Sequence, residues 1–146
     1  MTSTTRLSVV TPEGTKFEGD VAIVIAPGAA GDLAALPSHA PLLTTLRPGL
    51  VIARPAQAPE RADADALAAG TRFAVDGGFM QVMPDRVIVL SDRAIGADEV
   101  EYETARSAYQ RALEALAAKK GADDSAERIA VAFFEATLKL TGRSAE

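Results

Sequence analysis

Few residues in this sequence have the types and the spacing that catalysis requires. The single histidine, His39, is not part of a nucleophile elbow, because the pattern G-x-S-x-G does not occur. Asp63 and Asp65 are spaced like a carboxylate pair, but they lie in a stretch without sustained periodicity, which predicts a solvated loop rather than acid–base chemistry. We therefore interpret His39 as a turn, core or interface residue and expect no catalytic residue.

The sequence also contains no motif that indicates a bound cofactor or metal ion. The stretch Gly28-Ala29-Ala30-Gly31 is not followed by the lysine of the phosphate-binding pattern G-x-x-x-x-G-K-[ST]. The absence of cysteine excludes thiol catalysis, disulfides, iron–sulfur clusters and thiolate zinc sites. One histidine cannot supply a multi-histidine metal cage. We expect no metal and no cofactor.

The composition is that of a small, acidic globular protein. The chain has 146 residues, with 15 Lys and Arg against 20 Asp and Glu, and 48% of its residues are hydrophobic. An acidic chain without a basic stripe is not expected to bind nucleic acid. No apolar run is longer than the six residues at 21–26, far short of the roughly 20 residues of a membrane span, so we expect no direct membrane insertion.

The elements that could position a site change in type near Ala97. All eight prolines and nine of the eleven glycines precede it, and Val, Ile and Thr are concentrated in the same part of the chain. This composition predicts short strands joined by tight turns. Over residues 1–97 such strands are expected to form a β-sandwich or flattened barrel. Residues 55–70 fit no strand and are interpreted as an inserted loop. The strands are predicted at residues 7–10, 16–18, 21–26, 33–36, 42–46, 50–54, 71–75, 79–83 and 87–91.

Residues 98–146 are predicted to form an antiparallel two-helix hairpin. Asp98 followed by Glu101, and Asp124 followed by Glu127, match the capping-box spacing at a helix start. Gly121 and Gly142 stand where a helix would end. The apolar residues of each helix recur at helical spacing and are mostly small. These stripes are Tyr102, Ala105, Tyr109, Ala112, Leu113 and Leu116, and then Ala126, Ile129, Ala130, Phe133, Ala136 and Leu140.

Two blocks of the sequence resemble a known family. Residues 31–49 read GDLAALPSHAPLLTTLRPG, which closely resembles the signature G-(acidic)-L-x-x-L-P-x-H-A-P-L-x-T-x-L-x-P-G of the epsilon subunit of bacterial F-type ATP synthase, the counterpart of the mitochondrial delta subunit. Residues 75–82 and 87–94 resemble the second block of that family. The resemblance covers the chain except residues 55–70. Independently of it, Pro37 and Pro41 predict a rigid turn around His39.

The resemblance implies a non-catalytic rotor subunit that couples rotation of the c-ring to ATP synthesis. In such a subunit the sandwich binds the gamma subunit and the c-ring, and the hairpin reaches the alpha and beta subunits and can restrain ATP hydrolysis. The residues that match the family's c-ring loop are Gly28, Ala29, Ala30, Gly31 and Asp32. Those in its gamma-binding region are His39, Leu42, Leu43 and Thr44. The implied location is peripheral, on the cytoplasmic face of the bacterial inner membrane.

The hairpin departs from the family at two points. Where some members bind ATP through [I/L]-D-x-x-R-A, this chain has Tyr102 to Ser107, in which Arg106 matches and Glu103 keeps only the charge. These two residues are the candidate nucleotide ligands, and weak or absent ATP binding is expected. The basic residues of the second helix form no dense cluster, so strong inhibition of ATP hydrolysis by the hairpin is not expected. They are Arg128, Lys139 and Arg143.

Two other functions fit a sandwich followed by a hairpin. One is a ligand-sensing adaptor outside the synthase, with the hairpin as its moving part. The other is a small-molecule enzyme on a β-barrel, but its metal-dependent forms need several histidine or carboxylate ligands on adjacent strands, and this chain has one histidine. Recovery of the chain from membranes with alpha, beta and gamma chains would separate the rotor subunit from both.

Overall fold

The computed structural model describes residues 4–55, 71–119 and 123–142, and these residues form a sheet domain followed by two helices. The predicted mainly β architecture with a C-terminal helical hairpin is confirmed. The inserted loop was predicted at residues 55–70; Pro55 instead ends a strand, and residues 56–70, like the predicted cap at Gly121, lie outside the described residues. The strands are β1 (Thr5–Thr11), β2 (Gly14–Gly28), β3 (Gly31–Ala35), β4 (Leu42–Leu46), β5 (Gly49–Pro55), β6 (Thr71–Val75), β7 (Gly78–Val82), β8 (Arg86–Leu90) and β9 (Ala94–Gly96).

The nine strands form one sheet that folds back on itself. Their order is β1-β8-β7-β4-β2-β5-β6-β9, with β3 paired to β2. Because β1 also pairs with β2, the path from β1 through β8, β7 and β4 to β2 closes. The long strand β2 therefore belongs to both halves of the domain, and its last residues pair with β3 and β5.

Strand β2 corrects one prediction. Residues 16–18 and 21–26 are predicted as separate strands, yet they belong to one strand of 15 residues. Gly19 pairs with Leu7 of β1, and Asp20 pairs with Arg6, so a partner strand keeps this stretch extended. Strand β9 was not predicted, because three residues carry too little alternation to indicate a strand.

The core of the sheet domain lies between its two layers and consists of buried aliphatic side chains with one aromatic pair. Phe17 and Phe73 contact each other with ring centroids 5.7 Å apart. Within the part of the chain that the structure describes, no residue of the hairpin belongs to this cluster, so the two helices do not contribute to the interior of the sheet domain. The buried members are Leu7, Val9, Val21, Val24, Ala26, Ala35, Leu46, Val51, Ala53, Phe73, Val75, Met80, Val82, Val87, Val89 and Ala94.

The two helices are α1 (Tyr102–Ala118) and α2 (Ser125–Lys139). The predicted capping box at Asp98 is wrong: residues Ala97–Glu99 form a separate 3-10 turn, and the backbone N–H of Gly96 donates to Glu99 Oε1 at 3.1 Å. At the start of α2, Asp124 occupies the N-cap position without capping through its side chain. No helix in the described ranges is long and apolar enough to cross a membrane.

Glu99 also ties the base of the hairpin to the sheet domain. Lys16 Nζ of β2 lies 2.8 Å from Glu99 Oε2. The hydrogen bond from Lys16, helped by that from Gly96, holds the pKa of Glu99 below its ordinary value, and the same bond raises the pKa of Lys16. The pair therefore keeps both charges at neutral pH and fixes the connection between β9 and α1.

Helix α2 packs against the outer surface of β5 and β6, and α1 packs against α2. The contact with the sheet is a small cluster around Phe133, which is fully buried. Ala74 of β6 is its member from the sheet, so a small residue on the strand makes room for a ring on the helix. The cluster consists of Ala74, Phe133, Ala136 and Leu140, with partly buried Leu50, Ile95, Val100 and Phe134 around it.

Candidate functional site

The turn between β2 and β3 contains the five residues predicted to face the c-ring. Gly28 is buried, whereas Ala29, Ala30, Gly31 and Asp32 are exposed. A Cβ at Gly28 would lie 2.6 Å from the carbonyl oxygen of Gly31, so the two strands approach too closely here for any side chain. The result is a narrow, exposed turn that projects an acidic residue.

Arg47, which follows β4, holds this turn in place. Its Nη1 donates to the carbonyl oxygen of Gly28 at 2.7 Å, and its Nη2 lies 2.5 Å from Asp32 Oδ1. The Ala29 N–H also donates to the carbonyl oxygen of Thr45 at 2.9 Å. Because Arg47 is 15 residues from Asp32, sequence spacing alone did not indicate the pair. Asp32 is therefore both the exposed charge of the turn and one end of its internal clamp.

The segment between β3 and β4 forms the rigid turn predicted around His39. The His39 N–H donates to the carbonyl oxygen of Leu36, and Ser38 has φ 63°, which fits a type II turn with Pro37 at its second position. The Ser38 N–H donates to the carbonyl oxygen of Pro84 at 2.9 Å. His39 Nδ1 lies 2.7 Å from the carbonyl oxygen of Ala40. The ring is half-buried and is fixed by local backbone.

Strand β4 separates the other predicted gamma-binding residues. Leu42 and Thr44 pair with Val82 and Met80, which are buried, so they share the inner side of the strand, although 39% of Leu42 is still exposed at the strand's start. Leu43 lies on the opposite side, where 69% of its area is exposed. The structure therefore does not bring the three residues to one face, and Leu43 is the one on the outer surface.

The outer face around Leu43 carries two further exposed hydrophobic residues that sequence reasoning missed. Phe79 of β7 is 52% exposed, pairs directly with Leu90 of β8, which is 48% exposed, and lies diagonal to Leu43. We call Leu43, Phe79 and Leu90 the apolar strip. A solvent-facing strand surface normally carries polar residues, so large apolar side chains on three adjacent strands indicate a protein interface. The sequence signal that could have indicated these residues is strand alternation, which places Phe79 and Leu90 on the outward side of β7 and β8.

The apolar strip continues into a cavity of about 540 Å³ at the edge of the hairpin. Phe79 and Leu90 line it from the sheet, and Ile129 lines it from α2. Ile129, placed on the buried stripe by its spacing, is 43% exposed. A partner seated on the strip would therefore also touch the second helix.

The structure offers little support for a nucleotide or metal site. In the described ranges there is no group of three or more His, Cys, Asp or Glu side chains placed to hold a metal ion. The candidate nucleotide ligands Glu103 and Arg106 face each other, with Glu103 Oε2 4.0 Å from Arg106 Nη1. Two of the basic residues of α2 are also paired within their helix, Arg128 with Asp124 and Lys139 with Glu135. Asp63, Asp65 and Arg143 lie outside the described residues.

We predict that the isolated protein does not bind ATP with sub-millimolar affinity. Of the family's ATP motif only Arg106 is retained strictly, and one guanidinium on an exposed helix face supplies a small part of the contacts that a triphosphate needs. A calorimetric titration with millimolar Mg-ATP should show no saturable heat. The variant Arg106→Ala provides the baseline: a saturable signal that the variant loses would show that Glu103 and Arg106 suffice.

A family model and individual relatives of known name indicate the same family for this chain. Residues 4–97 match the family model described as the β-sandwich domain of the ATP synthase delta/epsilon chain. The chain is 38% identical over 143 residues to the ATP synthase epsilon chain of Desulforamulus reducens, covering 96% of this chain and 97% of that one. It is 36% identical over 138 residues to the epsilon chain of Xanthomonas campestris, covering 94% and 91%.

Solved structures agree on the fold. One chain of the Euglena gracilis mitochondrial ATP synthase OSCP/F1/c-ring structure superposes with a TM-score of 0.68 at 19% identity, over 92% of this chain and 79% of that chain. A chain of the Tetrahymena thermophila mitochondrial ATP synthase central stalk and c-ring gives 0.54 at 16% identity, over 93% and 92%. With relatives similar over nearly their whole length, this protein belongs to the ATP synthase delta/epsilon chain family.

Proposed function

We propose that the sheet domain of this epsilon-type chain binds the gamma subunit through the apolar strip, and the c-ring through the β2–β3 turn. As an epsilon chain, the protein is a rotor-stalk subunit of an F-type ATP synthase. Its part is mechanical: it carries no chemistry of its own, and it transmits rotation between the ring and the stalk. In this arrangement it lies peripherally at the cytoplasmic face of the bacterial inner membrane.

The apolar strip is the observation that carries the gamma assignment. Leu43, Phe79 and Leu90 present three large hydrophobic side chains on the outer sheet surface, and His39 lies in the turn just before β4. Burying such side chains gains about 25 cal/mol per Å² of apolar surface, which favours a lasting contact with another chain. A subunit that turns with gamma needs such a lasting contact.

The β2–β3 turn suits a different partner. It is narrow, exposed and acidic, and Arg47 fixes its shape. A rigid polar projection gives orientation and specificity more than affinity. We assign it to the c-ring, and we assign the hairpin to contacts with the alpha and beta subunits.

Recovery from native membranes tests the proposal. A tagged copy of the chain should bring down alpha, beta and gamma chains from solubilised membranes, together with c-ring material. Recovery of the chain by itself, or with proteins outside the synthase, would contradict the proposal and favour a ligand-sensing adaptor. A parallel purification in high salt should leave gamma bound, because an apolar contact is little screened.

Truncation after Ala97 should leave an assembled, proton-pumping synthase. Among the described residues, the buried interior of the sheet domain includes none from the hairpin, so the fragment should fold, although it exposes Leu50 and Ile95. ATP hydrolysis should rise only mildly, because Arg128 and Lys139 are already paired within α2. Hydrolysis and ATP-driven pumping are measured on membranes from both strains.

Two outcomes of the truncation experiment would contradict this prediction. A many-fold rise in hydrolysis would identify the hairpin as a strong brake, and loss of pumping would show that coupling needs the helices. Thermal unfolding of the purified fragment is the control: a broad, non-cooperative transition would mean that the hairpin belongs to the folding unit.

Substitutions at Asp32 should distinguish a charge contact from a merely polar turn. Asp32→Lys should weaken coupling more than Asp32→Asn, because a lysine places a second cation beside Arg47 and leaves both unpaired. Asn keeps a hydrogen-bond acceptor for Arg47. ATP-driven pumping by the two variants is compared with Glu18→Lys, a charge reversal in the exposed part of β2. Equal pumping by all three would remove the turn from the ring contact.

A further inference from the structure

We propose that Arg93 is a latch that holds the helical hairpin against the sheet domain. Its guanidinium carbon lies 4.4 Å from the centroid of the Phe133 ring and 5.7 Å from that of Phe134. Both rings belong to α2, whereas Arg93 lies between β8 and β9 of the sheet domain. The contact is therefore a cation–π interaction that crosses from one part of the molecule to the other.

The sheet domain positions this guanidinium before the helix meets it. Asp76, in the turn between β6 and β7, accepts from the Arg93 backbone N–H and from Arg93 Nε, each at 3.2 Å. The Ser91 hydroxyl lies 3.0 Å from Asp76 Oδ1 and 2.9 Å from the carbonyl oxygen of Arg93. Fixing the side chain at both its backbone and its Nε lowers the conformational entropy lost when the rings stack on it.

The fully buried part of the docking contact is small, and the hydrophobic residues around it are only partly buried. Phe133, Ala136 and Leu140 form the buried part of α2 in this cluster, and Ala74 is the buried residue on the sheet. Two of these four side chains are alanines, which bury little area. An interaction of modest strength therefore shifts the balance between a docked and a released hairpin, and Arg93 is the residue placed to supply it.

The inference goes beyond the proposed function, since it concerns the chain by itself and holds whatever the hairpin contacts when released. It assigns Arg93 the role of a positioning residue for α2. Its removal should raise the released fraction about two- to five-fold, the range expected for a cation–π contact at a partly exposed site.

The absence of cysteine in the chain allows a direct test. Ala136→Cys places a thiol in the buried contact, where its rate of alkylation by iodoacetamide reports release of the helix. Ala53→Cys places one in the sheet interior, where alkylation reports unfolding of the domain; both alanines are buried. Arg93→Gln should speed alkylation at position 136 about two- to five-fold and leave position 53 unchanged. Arg6→Gln, which removes another surface arginine paired with acids, should change neither rate.

Three results would overturn the latch. An unchanged rate at position 136 would show that Arg93 does not hold the helix, and an equal rise at position 53 would show that it supports the domain as a whole. The double replacement Phe133→Leu with Phe134→Leu tests the rings: if Arg93→Gln has the same effect in that background, the arginine acts through the Asp76 turn and not through the aromatic contact. Amide hydrogen exchange of α2 in the cysteine-free chain repeats the comparison should Ala136→Cys disturb the packing.

Discussion

Replacing Gly78 with alanine is expected to cost about 3–5 kcal/mol of unfolding free energy. Gly78 has φ 114°, which disfavours any L side chain. A Cβ there would lie 1.9 Å from the carbonyl oxygen of Leu90, so strand β7 would have to move away from β8. The backbone cannot give way as the tip of a flexible side chain could.

Gly14→Ala is the matched control for this prediction. Gly14 has φ 131°, and a Cβ there meets no atom within 4 Å, so the variant isolates the cost of backbone strain. That cost should be about 1–2 kcal/mol. Both variants are compared with the parent by urea unfolding at one temperature. Equal losses would mean that the approach of β7 to Leu90 contributes nothing beyond the backbone angle.

Placing a charge on the apolar strip should weaken binding of the gamma subunit by roughly 30-fold, the effect of losing an interface hot spot worth about 2 kcal/mol. Leu43→Asp is the first variant, because Leu43 is the most exposed member of the strip and its replacement should hardly disturb the fold. Phe79→Asp should act in the same direction. An aspartate in the contact would be desolvated without a partner, which adds to the lost apolar area.

Leu113→Asp is the matched control. Leu113 is 41% exposed on α1, so the same chemical change is made on a helix of the hairpin and not on the sheet. Titration of each variant with purified gamma subunit gives the affinities, and thermal unfolding verifies that each is folded. Loss of binding by Leu113→Asp with full binding by Leu43→Asp would transfer the gamma contact from the sheet to the hairpin.

The two predictions concern neighbouring residues with different roles. Gly78 works inside the pairing of β7 and β8, where a turn and a neighbouring strand leave no space for a side chain. Phe79, the next residue, points outward and contributes to a face that the described residues leave open. Adjacent residues can therefore be essential for different reasons, one for the fold and one for binding.

The sequence by itself determined the types of the elements and the family. Strand and helix follow from local features: β-branched residues between turn residues up to Ala97, and helical spacing of apolar residues after it. The turn at Pro37 and His39 was predictable for the same reason, because proline fixes its own backbone angle. The block at residues 31–49 is continuous in the chain, so the match to epsilon subunits needed no structure.

Only the tertiary structure decided which residues meet. Leu42, Leu43 and Thr44 are neighbours in sequence, but strand alternation and the pairing of β4 with β7 place them on two faces. Pairing with β1 joins the two predicted strands at residues 16–18 and 21–26 into one strand. At the start of the hairpin, Glu99 rather than Asp98 bonds the backbone, since the 3-10 turn brings it to Gly96.

The same reason explains the contacts that no pattern indicated. Arg47 reaches Asp32 because β4 lies beside β2, and Arg93 reaches Phe133 because α2 folds back onto the sheet. Phe79 and Leu90 become a surface for a partner only once β7 and β8 pair with their outer face uncovered. Local periodicity indicates whether a side chain is buried. Which side chain it contacts depends on how segments that are distant in sequence pack together, and local patterns carry no information about that.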